Sequence, residues 1–422
     1  MVKVSIEDVV DGMVVDKDVS GPDGALLAPR GVPLSEEHIR AMRAFGVHTV
    51  DIVSNEPEPD ATLEKLQQTE AACRELLRSR FSALDRTTPF GEALWELAVT
   101  RAARQQVREP PLGPERALDE PSLVSLPPEQ SLFDRSRFDP ITLVSGKVEL
   151  ATLPEVHVRL LQALGTPTST PCSIAAVIQH DPSLTAKLLK LVNSPFYGPI
   201  TPIDTISRAV TVVGQKELTT LVLGLAACNA FTDIPPGLCD MRAFWRQAAA
   251  CGVYASLLAE ACPGTAPDRV FVGGLLHDIG ELVILRKIPA AEGRALLLAH
   301  IECLPLCEAE KAVLGFDNTA VSRALLTRWH FPDALVAMVA DHHQPSGRPE
   351  DRETAIIHVA DILATALAGP ARGGPQVPPL DEPAWRSLGL PESILEQVAA
   401  TGDARIGDIE AVFFDDSRPP TQ

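Results

Sequence analysis

The sequence predicts a mainly α-helical protein with a small α+β unit at its N-terminus, and three observations lead there. Residues 139–410 are a succession of amphipathic runs punctuated by Pro and Gly, without the β-branched alternation a sheet needs. Residues 1–55 instead mix short alternating runs with one capped helix. Between them, 56–108 turns helical and 109–138 is rich in Pro and charge, the composition of a linker. A length of 422 residues suits two or three domains of roughly 100 to 200 residues each, and no 20-to-50-residue repeat is present.

In chain order, Val2, Val4 and Ile6 alternate as a strand, followed by Met13 to Val15, a "GPDG" turn at 21–24 and "ALLAPRGVPL". Ser35 then caps a helix with Glu36 and Glu37 in its positive first turn, Leu34 staples onto Ile39, and Gly46 ends it before the strand-like "VHTVDIV". In 56–108, Leu63, Leu66, Cys73, Leu77 and Leu84 fall near heptad spacing, which fits either a dimerising helix or a connector packing on its own chain. Further on, Asp181 precedes Pro182 and an apolar-periodic run, so it is a helix N-cap, and that helix buries Leu184, Leu188, Leu191 and Val192. The pair "DTISRAVTVVG" and "QKELTTLVLGLAACNAF" hinges at Gly214. It has the outline of a DNA-reading helix-turn-helix, but the second helix continues apolar, which favours core packing.

Acidic residues number 56 against 37 Lys and Arg, a formal charge of −19 that repels a nucleic-acid backbone, and no basic cluster offsets it. Two Tyr and four Trp leave little for a base-stacking platform. Eight cysteines (73, 172, 228, 239, 251, 262, 303 and 307) lie in apolar or helical contexts with no Cys-x-x-Cys pair. They read as reduced core thiols of a cytoplasmic protein. "MVKVSIEDVV" has no leader pattern, and no apolar run approaches the roughly 18 residues of a membrane span.

The chemistry-bearing stretch is "GGLLHDIGEL", residues 273–282, which reads as a buried helix carrying His277 and Asp278. A His-Asp dipeptide is weak evidence alone, since about one is expected by chance in a chain of this size, and His180-Asp181 is such a control. Adjacent residues on one helix diverge by about 100° and cannot enclose an ion by themselves. Other ligands must therefore arrive from elsewhere, and the candidates are His342, His343 and Asp361. Each has a plainer reading: a histidine at a helix C-terminus is favoured by the dipole, and a lone buried Asp is usually a hydrogen-bonded core group.

Two resemblances extend this reading. "DGMVVDKDVSGPDGALLAPRGVPLSEEHIRAMRAFGVHTVDI" resembles the small domain ahead of cyclic di-GMP phosphodiesterases of the HD-GYP type. "LPEVHVRLLQAL", "VIQHDPSLTAKLLKLVNSPFYG", "ISRAVTVVG", "FWRQAAACG", "GGLLHDIGELV", "EKAVLGFDN", "LLTRWHFP", "VADHHQP" and "IIHVADILATAL" resemble, in order, the HDOD family, bacterial regulatory domains related to the HD phosphohydrolases. That resemblance implies an all-helical domain over 139–410, with an N-terminal lobe at 139–238, an HD-like lobe at 239–410, and a tail at 411–422. It also implies a damaged metal site. His277, Asp278, His342, His343 and Asp361 match ligand positions, but Gln247 stands where the first histidine of active enzymes would be and Asn318 where the next would be. "HHQPSGRP" lacks the Glu and the Gly-Tyr-Pro that mark cyclic di-GMP hydrolysis.

The expectation is a bacterial signal-transduction protein whose degenerate HD-like domain binds protein partners or a ligand, with no catalytic residues. No cofactor is expected beyond a residual divalent metal, and neither membrane nor nucleic acid as a partner. Residues 56–108 could join a homodimer, or serve only as a connector packed on their own chain. The alternative is a metal-dependent phosphohydrolase with an altered site.

Overall fold

In the computed structural model the chain divides into two compact units, 1–68 and 69–422. The residues described are 60–108, 138–145, 171–179, 238–345, 351–367 and 376–413, residues 181–231 with single-residue gaps, residue 234, and a discontinuous set within 1–52. The expected "GPDG" turn, the helix-ending Gly46, the Pro-rich linker and "LPEVHVRLLQAL" lie outside them.

In the first unit, β1 (Val2–Ser5) pairs antiparallel with β4 (Thr49–Ile52), Val2 opposite Ile52, and β2 (Val19–Ser20) pairs with β3 (Leu26–Ala28). Helix α1 (Glu36–Ala44) starts where Ser35 is placed to cap it, and the Ser35 hydroxyl accepts from the His38 backbone N–H at 3.4 Å. Leu34 and Ile39 share one apolar cluster with Val15, Met42 and Val50, as the staple requires.

Helix α2 (Asp60–Arg78) runs across the boundary, and α3 (Pro89–Arg108) follows in the second unit. The heptad spacing suggested one helix carrying Leu84; the chain instead breaks at 79–88, and Leu84 is buried outside any helix. The break has a local cause. Asp85 accepts from the Thr87 N–H and hydroxyl, Thr88 accepts from the Gly91 N–H, and Pro89 opens the new helix. From there α3 packs on its own unit, with Phe90 against Trp385 at 4.9 Å between centroids.

The rest of the second unit is helical among the described residues: α4 (Pro140–Ser145), α5 (Pro171–Gln179), α6 (Pro182–Val192), α7 (Ile206–Val213) and α8 (Gln215–Cys228). Then come α9 (Met241–Glu260), α10 (Pro267–Leu276), α11 (Ile279–Lys287), α12 (Pro289–Glu302) and α13 (Leu306–Leu314). The last are α14 (Asn318–Arg328), α15 (Asp333–Asp341), α16 (Arg352–Leu367), α17 (Glu382–Leu388) and α18 (Ile394–Phe413). Asp181 caps α6 as expected, accepting from Leu184 N at 3.0 Å, and the four apolar residues it precedes are buried. Helices α7 and α8 meet at Gly214 with a 119° bend, and α8 is buried from Leu221 to Cys228. Among the described residues no single helix is long and apolar enough to cross a membrane.

Helix α9 is the spine, packed against α10, α16 and α18. A Cβ on Gly274 would sit 2.7 Å from the Gly252 Cα, so α10 and α9 cross with their backbones nearly touching. The cysteines divide where apolar sequence context placed them all in the core. Cys73, Cys228, Cys251 and Cys262 are buried, Cys239 and Cys307 are half-buried, and the Cys172 side chain lies outside the described residues. Cys303 is exposed in a left-handed C-cap, because a residue ending a helix turns out of its buried stripe.

Candidate functional site

The 273–282 stretch is two helices and not one. Helix α10 ends at Leu276, His277 keeps helical angles, and Asp278 (φ −103°, ψ 17°) turns the chain into α11. The break removes the angular divergence expected of neighbours on a single helix, so the two side chains meet, with His277 Nε2 at 3.0 Å from Asp278 Oδ2. The same nitrogen is 3.4 Å from Asp361 Oδ1 of α16. Gly280 lets α11 approach α14: a Cβ there would fall 2.1 Å from the Asn318 carbonyl oxygen, and the Gly280 N–H donates to Ser322 Oγ at 2.9 Å.

His342 follows the last residue of α15, and its ring centroid lies 5.3 Å from that of His277 and 4.1 Å from that of His343. His277 and His342 are held identically. Nδ1 of His277 contacts the Gly274 carbonyl at 2.7 Å, and Nδ1 of His342 contacts the Val339 carbonyl at 2.7 Å. A carbonyl only accepts, so each Nδ1 carries a proton and each Nε2 turns inward, that of His277 toward Asp278 and Asp361 and that of His342 without a donor or acceptor of its own. Ligand atoms of His277, His342 and Asp361 lie within 4.8 Å of one another, as do those of Asp278, His342 and His343. The structure thus brings the five candidates together as two sets sharing His342.

Charge separates the two imidazoles. Burial favours the neutral form of His277, but Asp278, Cys251 and Asp361 outweigh it and raise its pKa well above the usual histidine value. Burial, followed by His343 and His277, pushes His342 down to about 3. Asp361 is kept below the ordinary carboxylate value against its burial by the His277 hydrogen bond and charge. Asp317, the N-cap of α14, faces His343 Nδ1 at 3.5 Å and Lys311 Nζ at 2.9 Å. Those partners and Thr319 hold it far below its ordinary value although burial opposes them.

The two amide positions are engaged. Gln247 Nε2 donates to Thr365 Oγ1 at 3.2 Å, and that hydroxyl donates to Asp361 Oδ1 at 3.3 Å, so the Gln247 side chain joins the network one step removed from Asp361. Asn318 donates to Glu310 Oε2 from its backbone N (2.8 Å) and Nδ2 (3.3 Å). Sequence reading missed Thr365, Cys251 and His358, although helical spacing could have found them: Thr365 is i+4 from Asp361, Cys251 is i+4 from Gln247, and His358 is i−3 from Asp361. His358 is a structural group, since Asp381 N donates to its Nε2 at 2.9 Å while its Nδ1 donates to the His342 carbonyl at 2.8 Å.

Residues 150–345 match the HDOD domain family. An uncharacterized protein of Treponema pallidum (strain Nichols) is 27% identical over 214 residues, which are 50% of this chain and 41% of that protein; the chain thus spans less than half of that relative. The crystal structure of an HDOD domain protein of unknown function from Geobacter sulfurreducens superposes with a TM-score of 0.52 at 27% identity, covering 65% of this chain and 97% of that one. A candidate phosphohydrolase from Shewanella amazonensis SB2B shares the fold, with a TM-score of 0.51 at 24% identity over 63% of this chain and 95% of the other.

Proposed function

The chain carries an HDOD domain across residues 150–345, and from that premise we propose that it acts in bacterial signalling by binding a protein partner or ligand without hydrolysing it. The observation that carries this reading is the state of the two positions where the resemblance asks for histidine. Gln247 and Asn318 hold amides tied to Thr365 and Glu310. Zinc, manganese and iron favour nitrogen donors in mixed sites, so exchanging two imidazoles for amides removes much of the affinity for a catalytic metal pair. His277, Asp278 and Asp361 then serve as a buried ionic cluster joining the α10–α11 junction to α16. On this reading the protein works in the cytoplasm, with 56–108 available to join a second copy. The test is turnover of cyclic di-GMP and simple phosphodiesters by full-length protein supplied with Mn2+, Fe2+ or Zn2+. No turnover above a His277→Ala, Asp278→Ala variant is expected; turnover that His277→Ala abolishes would overturn the reading.

One observation favours a second reading, a phosphohydrolase with an altered site. His342 carries the tautomer a metal ligand needs, and His277 would present the same Nε2 once a metal displaces its second proton, each ring having Nδ1 spent on a backbone carbonyl and Nε2 turned inward. His277, His342 and Asp361 fit one divalent ion, with Asp278 and His343 beside it. Such an ion would polarise a phosphoryl oxygen and acidify a bound water. The protein's own contribution is orientation, through the two carbonyls and through Asp317 against His343. Elemental analysis decides: near one metal per chain, lost in the His277→Ala, Asp278→Ala variant, supports this reading, and no metal in either protein ends it.

A further inference from the structure

Neither reading uses the acidic groups buried between α12 and α13. Ala295 and Ala299 of α12 pack on Ala309 of α13, and these small side chains let the helices approach closely. On the same helices Glu292 and Glu310 are both 0% exposed. Helices α12 and α13 pack together and each carboxyl acts on the other, yet both oxygens of Glu292 and Oε1 of Glu310 have no donor. The Asn318 amide lies against the Glu310 carboxyl, is 3% exposed, and keeps Oδ1 without a donor. A half-turn of that amide exchanges Oδ1 for Nδ2 on the side facing Glu310. Asp278 adds negative charge nearby, and the neighbouring ammonium, Lys311, is committed to Asp317.

Two carboxylates cannot both stay ionised in such a place without something positive between them. A shared proton joins two of the four donor-less oxygens and leaves the other two unsatisfied. A cation can take all four. Oxygen donors select a hard ion, and a fully enclosed site disfavours Mg2+, which gives up its waters reluctantly. We propose that Glu292, Glu310 and Asn318 form an oxygen-donor site for a hard divalent cation, Ca2+ or Mn2+, separate from the His277, His342 and Asp361 set. The ion ties α12, α13 and the first turn of α14 together.

The experiment is calorimetric titration of EDTA-stripped full-length protein with CaCl2 and, separately, MnCl2. One cation per chain is expected in the wild type and in His277→Ala, Asp278→Ala, with affinity at least tenfold weaker in Glu292→Gln, Glu310→Gln. Asn318→Asp adds a charged ligand and should tighten binding at least threefold, a gain that an unfolded variant cannot give. No binding by the stripped wild type overturns the proposal. So does binding that survives the double glutamine substitution, disappears with His277 and Asp278, or is unchanged by Asn318→Asp.

Discussion

In metal-free protein the Glu292 and Glu310 pair must hold a proton, and this makes folding pH-dependent in a direction opposite to that of an ordinary salt-bridged acid. Burial pushes Glu292 from its ordinary 4.5 up to about 8, against a hydrogen bond with Glu310 that lowers it, and the Asp278 charge adds to the rise. A carboxyl with a raised folded pKa binds its proton more tightly in the native state than in the unfolded chain. Its contribution is therefore present in full below pH 4.5 and is lost as pH rises from there through about 8. At about 1.4 kcal/mol per unit, the interval corresponds to about 5 kcal/mol, comparable with the whole stability of a marginal domain. Glu292→Gln has nearly the same shape and can donate an amide hydrogen to Glu310 at any pH, so it removes this dependence. Urea unfolding in EDTA at pH 5, 7 and 9 should show the wild type losing several kcal/mol relative to the variant, with the variant the more stable at pH 9. Stability profiles that run parallel for the two proteins would refute a proton held between these side chains.

In EDTA at pH 7, 15N NMR should show His277 as imidazolium and His342 neutral with its proton on Nδ1, since carboxylates face the first while burial and two imidazoles depress the second; two matching titrations would contradict the assignment. Gln247→His combined with Asn318→His should raise bound Zn2+ toward stoichiometric, because Glu310 already stands where it can accept from an imidazole N–H at position 318. Metal content equal to wild type would mean that these positions do not reach the site. Gly280→Ala forces its Cβ against the Asn318 carbonyl and Ser322 N, a cost of about 3 kcal/mol by chemical denaturation; a loss within error would show that α11 can shift freely. Asp181→Ala removes the α6 cap and should cost about 1 kcal/mol in the same assay, and no change would mean the cap contributes nothing.

Much of the helical framework was legible because its signals are local. Asp181 with Pro182, Ser35 ahead of α1, and Gly214 between α7 and α8 each act on backbone groups within about four residues, so the chain around them contains the whole cause. The candidate ligands were also legible, as residue types in apolar surroundings. Other features misled for physical reasons. A heptad of apolar residues says that a face is buried, not that the helix is unbroken, and the Asp85 to Pro89 turn ends the regularity within it. The His277-Asp278 junction was hidden because both flanks are apolar and helical.

What the sequence by itself determined is the class of the fold, the caps and breaks of several helices, and the identity of His277, Asp278, His342, His343 and Asp361 as the groups to watch. Tertiary structure alone decided that His277 and His342 each spend Nδ1 on a backbone carbonyl yet sit in opposite electrostatic surroundings, that Gln247 reaches Asp361 through Thr365, and that Glu292 lies beside Glu310. These are contacts between helices distant along the chain. The environment that sets a proton or a ligand at each one is supplied by whatever residues the other helices bring, and helical periodicity carries no information about that.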